Sequence, residues 1–358
     1  MSLATILTSI GVILTACGTI LGTLHACGKD IFICLGTLCG KKDEDAWIPP
    51  MEHEMEPEKD APPRGSSHRN VSRDSLVQLQ NKEIFYKVER NLMTLLRNCL
   101  ELDTKNSVSI LSGHVDHFQS IKSEDAVLGW GCGCGWRNIQ MLSSHLLSQR
   151  HEAKEVLYGG SGFVPDIASL QRWLELAWEK GFDTHDFDRR FYGNESWIGT
   201  RECAALLRYF GLRAKVVDFE LASSRFEEGH HVLIEWVWNY FSGQKVNRSG
   251  GDRRVIVSEK APLYFHHDGH SRTIVGIQAT RESNGMQQLH NLLIFEPRIK
   301  TKYLEECLIN NVGWQQKIKR GSHTLKEPLY QLCYVDPGIA RGKELENLKT
   351  ITSIRLEF

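Results

Sequence analysis

Cys134 stands between glycines in Gly129-Trp130-Gly131-Cys132-Gly133-Cys134-Gly135-Trp136-Arg137-Asn138-Ile139-Gln140-Met141-Leu142, directly ahead of a helical pattern. That is an arrangement able to expose a thiolate for attack. Glycines let the backbone turn sharply and leave room for a second chain to approach. Beyond them Ile139, Met141, Leu142, Leu146 and Leu147 recur at helical spacing, while Ser143, Ser144, His145 and Gln149 fall mostly on the other side. The pattern predicts a helix with Cys134 at its entrance. There, unpaired amide groups and the positive end of the helix dipole favour a thiolate and lower the thiol pKa from its ordinary value of about 8.5. A buried structural thiol in a glycine-rich turn is the plain alternative, since free cysteine is so often simply buried.

A cysteine peptidase needs a histidine to accept the thiol proton, and that histidine is usually remote in sequence. Pro262-Leu263-Tyr264-Phe265-His266-His267-Asp268-Gly269-His270-Ser271-Arg272-Thr273-Ile274-Val275-Gly276-Ile277 reads as two β-rich runs broken by an Asp-Gly turn. His270 begins the second run, where a rigid strand could hold its ring; His266 and His267 compete for the role. A third run, Asn291-Leu292-Leu293-Ile294-Phe295-Glu296-Pro297, ends in a carboxylate at a proline-enforced boundary. Glu296 could orient the imidazole, or be an ordinary charged strand end.

These segments, together with Ser112-Gly113-His114-Val115-Asp116-His117-Phe118 and Trp197-Ile198-Gly199-Thr200, occur in an order that resembles the catalytic domain of the ubiquitin-fold-modifier-specific cysteine peptidases. The likeness covers about residues 110 to 335, and several motifs in order are far more specific than a lone cysteine motif. The branch most similar is the zinc-finger-containing, ubiquitin-directed one, whose nucleophile motif reads Trp-Gly-Cys-Gly-Tyr-Arg-Asn and whose base is the histidine of Gly-His-Ser-Arg-Thr. The resemblance implies Cys134 as nucleophile and His270 as base, with Glu296 at the position of the third member. It also implies a substrate-facing role for Trp197 and Gly199. Trp130 and Gly133, beside the nucleophile, suit a narrow channel that a diglycine tail can thread.

Three departures stand out. Two extra residues in the nucleophile motif let either Cys132 or Cys134 be matched; Cys134 is preferred because it keeps its distance from Arg137-Asn138 and the helix. The branch carries aspartate where this chain has Glu296, one methylene longer. The modifier-directed branch continues Asp-Pro-His, whereas here the third residue is Arg298, which favours His270 as the base and the ubiquitin-directed branch.

A formal net charge of -1 over 358 residues supplies no field for nucleic acid, and no basic stripe or zinc-finger spacing supports such a partner. The 10 cysteines fall at irregular intervals, which suits reduced thiols in the cytoplasm or nucleus better than a disulfide framework. Tripeptides at Asn70, Asn194 and Asn247 that would accept a glycan weigh only slightly against this. No metal or other cofactor is expected. Residues 1–40 are hydrophobic, and residues 3–28 contain no Lys, Arg, Asp or Glu, long enough to cross a bilayer. A membrane anchor holding a cytosolic catalytic domain is therefore one reading and a leader another, though no basic region precedes the apolar run. Residues 41–75 read as a charged, proline-rich linker and 76–358 as the catalytic domain.

Within that domain the apolar positions Leu79, Ile84, Val88, Leu92, Leu95, Leu96 and Leu100 predict one helix over 76–102. A second helix follows the cap Asp166 and ends at Gly181. A third follows Thr200, read as its cap, and Gly211 stops it before a strand around Lys215–Phe219. The expected fold is α+β, a papain-like cysteine peptidase with a central antiparallel sheet packed against the nucleophile helix. The expected reaction is hydrolysis after the C-terminal diglycine of ubiquitin, of polyubiquitin or of ubiquitin-fold modifier conjugates. The alternative is a catalytically impaired module that binds such proteins without cleaving them.

Overall fold

The computed structural model describes residues 72–103, 107–120, 133–183, 197–220, 226–243, 254–281 and 288–357. The hydrophobic stretch 3–28, nearly all of the linker, Trp130 and Cys132 lie outside the described residues. Among the described residues, no helix is long and apolar enough to cross a membrane.

Helices α1 (Arg73–Leu79) and α2 (Leu92–Leu102) lead into strand β1 (Ser107–Leu111). Then come α3 (Cys134–Gln149), α4 (His151–Val156), α5 (Ile167–Glu179) and α6 (Thr200–Tyr209). Strand β2 (Leu212–Glu220), α7 (Phe226–Ser242), β3 (Val255–Val257), β4 (Leu263–His267), β5 (His270–Arg281) and β6 (Gln288–Phe295) follow. The chain continues through α8 (Thr301–Ile309), α9 (Trp314–Ile318), β7 (Lys319–Gly321), β8 (Leu329–Ile339), α10 (Lys343–Asn347) and β9 (Ile354–Glu357). The strands form one sheet in the order β3-β1-β5-β4-β8-β2-β9, with β6 paired to both β5 and β7. Its pairings are antiparallel except β1 with β3 and β2 with β9. The α+β class and the mainly antiparallel central sheet match the expectation from sequence.

Apolar layers cover both faces of this sheet. On one face Trp136, Ile139, Leu142 and Leu146 of α3 pack with α5, α6 and Tyr264. On the other, Leu233, Ile234, Val237 and Phe241 of α7 meet Phe265, Ile274, Ile277 and Leu332. Helix α3 is buried on nearly every side from Cys134 through Leu146, including Ser143, Ser144 and His145, which the sequence pattern assigns to an outer face. The polar members are held instead by partners: Ser143 Oγ bonds the Tyr158 hydroxyl, and His145 Nδ1 bonds the His114 carbonyl. Each fully buried large apolar side chain contributes about 1.5–3 kcal/mol, so this helix is anchored far more firmly than propensity alone would hold it.

Two expectations are corrected. The single helix over 76–102 is two helices separated by extended chain, because tertiary bonds capture the middle: Glu83 N–H donates to the Val164 carbonyl, and Lys82 bridges Pro165. Asn91, at φ 59°, then restarts the helix by accepting the Met93 amide hydrogen bond. Ile84 is accordingly 93% exposed, not part of an apolar stripe. The third helix is capped by Gly199, whose N–H donates to Glu202 Oε2 at 2.7 Å, and Thr200 is its first residue. Asp166 caps α5 as expected, through a bond from the Ser169 amide, and the strand after Gly211 spans Leu212–Glu220.

Candidate active site

Gly133 adopts the left-handed conformation (φ 63°) that favours glycine, and it precedes α3 with no side-chain cap. Cys134 is therefore the first residue of a helix whose N-cap glycine supplies no side-chain cap, and it is buried. Both members of the motif's Arg-Asn pair have structural partners. Arg137 forms an ion pair with Glu83 at 3.0 Å, fastening α3 to the extended chain before α2. Asn138 donates from Nδ2 to the Cys134 carbonyl at 2.6 Å and accepts at Oδ1 from the Thr273 hydroxyl at 2.6 Å. One side chain thus fixes the first turn of α3 to β5.

Gly135 is required by proximity. A Cβ there would lie 2.5 Å from Ile198 Cγ1 and 3.1 Å from both the Ile198 carbonyl oxygen and the Tyr264 hydroxyl. The loop Trp197–Gly199 and strand β4 thus press directly on the turn that carries Cys134. Burial is the main reason the Tyr264 phenol is raised well above its ordinary pKa, and negative charge on Cys203 and Cys134 adds to the rise. Tyr264 bonds Ser271 Oγ at 2.8 Å, and Ser271 Oγ in turn lies 2.9 Å from His266 Nδ1. This row runs from the helix entrance to His266, beside Gly199.

Strands β4 and β5 pair in the register His267↔His270, His266↔Ser271, Tyr264↔Thr273. The turn between them is Asp268-Gly269, both at positive φ (45° and 67°), the geometry that right-twisted two-residue hairpins favour. Side chains alternate along a strand. Tyr264, His266, Ser271 and Thr273 consequently face α3, whereas His267, His270 and Arg272 belong to the opposite face. His270 forms the last pair of the hairpin, partly exposed at its turn end. Trp197, 56% exposed, lies over the same turn, within 2.9 Å of where a Gly269 Cβ would be.

Glu296 follows the end of β6 and joins the His270 side of the hairpin. Its Oε2 accepts from Arg272 Nε at 2.6 Å. Arg298 Nη2 donates to His270 Nδ1 at 3.0 Å. The His270 pKa is lowered, first by burial and then by the charges of Arg298 and Arg272, with Glu296 and Asp268 acting in the opposite sense. His266 is also lowered, mainly by burial, and His267 falls to about 4 through burial and the Arg272 charge; its Nε2 bonds Arg272.

Of the residues expected from sequence, Gly133 and Cys134 open α3, Gly199 lies beside His266, and Trp197 lies over the hairpin turn. The structure gathers His270 and Glu296 at the same hairpin end, with Arg272 between them and Arg298 on the imidazole. The residues missed are those that hold the turn after β6. His117, fully buried and neutral with its pKa lowered to about 4 by burial, bonds Thr301 Oγ1 at 2.8 Å and donates from Nε2 to the Glu296 carbonyl at 3.1 Å. The Ser120 amide donates to the Pro297 carbonyl at 2.8 Å. His117 belongs to a motif that sequence singled out without a role.

The model of peptidase family C78 matches residues 104–333, more than half of the chain, from β1 into the first half of β8. Over 235 residues the chain is 33% identical to zinc finger-containing ubiquitin peptidase 1 of Macaca fascicularis, covering 64% of this chain and 38% of that protein. It is 26% identical over 234 residues to ubiquitin carboxyl-terminal hydrolase mug105 of Schizosaccharomyces pombe, covering 64% of this chain and 84% of the relative. Among solved structures, that of UfSP from C. elegans compares at TM-score 0.40 and 14% identity, over 66% of this chain and 35% of the other. The chain thus spans little more than a third of the length of its zinc-finger-containing relatives. The family match runs from before the Gly-His-Val-Asp-His-Phe motif, across the glycine-flanked cysteine and the histidine hairpin, to Cys333 in β8, and the chain belongs to peptidase family C78.

Proposed function

We propose that this chain is a cysteine peptidase that hydrolyses the isopeptide or peptide bond after the C-terminal diglycine of ubiquitin or of ubiquitin-fold modifier. The observation that carries the reading is Cys134 at the head of a helix without a side-chain cap, pressed against the loop Trp197–Gly199 and the histidine hairpin. Cys134 thiolate attacks the carbonyl carbon; His270 accepts the thiol proton and later protonates the leaving amine; Glu296 orients the ring. Amides at the start of α3 face the developing oxyanion, where each donor is worth roughly 3 kcal/mol in related chemistry. Trp197 and Gly199, with Gly133, line the approach of the glycine tail. Ubiquitin is the preferred modifier, because Arg298 stands where the modifier-directed branch has its histidine.

The experiment is side-by-side labelling with ubiquitin and with ubiquitin-fold modifier, each carrying a C-terminal electrophile. Covalent capture of ubiquitin at the faster rate is expected. Capture of neither, with the protein folded and still binding ubiquitin, would establish the impaired binding module instead. The Arg272 guanidinium on Glu296 is the observation that favours that second reading.

Glu296→Gln should lower hydrolysis of a ubiquitin C-terminal fluorophore about tenfold, the scale of one charge-assisted hydrogen bond, while the fold survives. Glu296→Asp should retain activity. Steady-state rates paired with thermal melts check both; equal turnover of wild type and the glutamine variant would remove Glu296 from the mechanism and leave a Cys-His pair.

A further inference from the structure

Glu296 and Arg298, which bear on His270 from outside the hairpin, share one turn. The Ile299 amide donates to the Glu296 carbonyl at 3.0 Å, so residues 296–299 form a β-turn with Pro297 at its second position. Residues 117–120 grip that turn. His117 Nε2 donates to the Glu296 carbonyl at 3.1 Å, and its Nδ1 lies 2.8 Å from the Thr301 hydroxyl. The Ser120 amide donates to the Pro297 carbonyl, and the Thr301 amide to Gln119 Oε1, each at 2.8 Å. The tautomer of His117 follows from its partners. A carbonyl only accepts, so Nε2 carries the hydrogen, and the lone pair left on the neutral ring at Nδ1 takes the Thr301 hydroxyl as donor. The ring is buried and meets Phe295 of β6 edge-on, with centroids 5.6 Å apart. Both of its nitrogens are committed to the turn, which leaves none to act on a substrate.

We infer that His117 is a positioning residue: by holding the Glu296 carbonyl and the head of α8 together, it fixes where the Glu296 carboxylate stands at the hairpin and so what charge faces His270. The inference rests on Glu296 orienting His270. It gives a role to a histidine of the Gly-His-Val-Asp-His-Phe motif, and it makes that role an indirect one, exerted through a backbone carbonyl.

The test compares His117→Leu, His117→Gln and Thr301→Val in the full chain, each alone and combined with Glu296→Gln. Glutamine can still donate to the Glu296 carbonyl; leucine cannot. Thr301→Val keeps the side-chain shape and removes only the hydroxyl, and it replaces His117→Leu in every comparison if that protein does not fold. On a ubiquitin C-terminal fluorophore, His117→Leu should lower kcat by up to about tenfold, the loss expected for the carboxylate it places, with KM within about twofold. Thr301→Val should act in the same sense, and His117→Gln should keep most of the activity. In the Glu296→Gln background none of them should lower kcat further by more than about twofold, because the positioned group is already gone. A general packing defect would instead multiply with the Glu296 change. Independently of turnover, the His270 ring-proton resonance, assigned by its loss in His270→Gln, should move in His117→Leu and return in His117→Gln. Wild-type kcat in folded His117→Leu, the same loss in both backgrounds, or an unmoved His270 resonance overturns the inference. Glu296→Gln as active as wild type overturns it too and leaves the Cys-His reaction standing. If the wild type does not turn over the fluorophore, the peptidase reading fails separately, and the resonance alone decides whether His117 governs what His270 faces.

Discussion

Cys134→Ala should abolish capture of the electrophilic ubiquitin probe and lower hydrolysis by roughly 10⁴-fold or more, the cost of losing a nucleophile that acts together with its base. Cys132→Ala should keep most of the activity. The two cysteines are two residues apart, and the placement of Cys134 distinguishes them. It alone begins α3, its carbonyl accepts from Asn138, and Asn138 is tied to Thr273 in β5. Cys134 also directly precedes Gly135, which meets Ile198 and Tyr264. Mass spectrometry of the probe adduct locates the modified thiol directly. An adduct on Cys132, with Cys134→Ala active, would reverse the assignment.

The second large effect separates the two histidines. His270→Ala should lower kcat by roughly 10²- to 10⁴-fold, the range for losing a general base, whereas His266→Ala should mainly weaken the Ser271–Tyr264 row and cost much less. The sign of the accompanying pH effect follows from charge. An imidazolium beside the thiol stabilises the thiolate, so its loss raises the Cys134 pKa and moves alkylation by iodoacetamide to higher pH. His266 is the serious competitor because strand alternation turns it toward α3, while His270 reaches the site only from the end of the hairpin. Alkylation profiles of both variants settle the choice: a shift confined to His266→Ala would make His266 the base and return His270 to the surface.

Much of the framework around the candidate site is legible in the sequence. Helix α3 could be read from the recurrence of Ile139, Leu142 and Leu146, and its entrance from the glycines around Cys134. The hairpin was visible because Asp268-Gly269 interrupts two β-branched and aromatic runs, and Asp-Gly suits the positive φ values found there. What stayed hidden depends on register and on long-range capture. Which of His266 and His270 faces the helix follows from the pairing His266↔Ser271, and alternation inverts if that pairing slips by one residue. The Arg272–Glu296 ion pair joins β5 to the residue after β6, and it follows from the register Thr273↔Phe295. Tertiary bonds to Val164 and Pro165 overrode the apolar spacing across residues 80–91, where the local pattern was helical and nothing local spoke against it. His145 failed for a related reason: a polar residue reads as an outer position unless the backbone carbonyl that will receive it is known.

The link from Asn138 to Thr273 also has a consequence for how the molecule is made. The two residues are separated by 135 positions, so the entrance of α3 is secured only after the whole of β5 has been synthesised and paired. Contacts of such long range form late, since the loop they close must first be restricted. On a ribosome that extends chains N-terminus first, the cysteine emerges well before the hairpin that completes its surroundings. A partly made chain would hold the thiol without its strand support, and the candidate site would be complete only when folding is essentially finished.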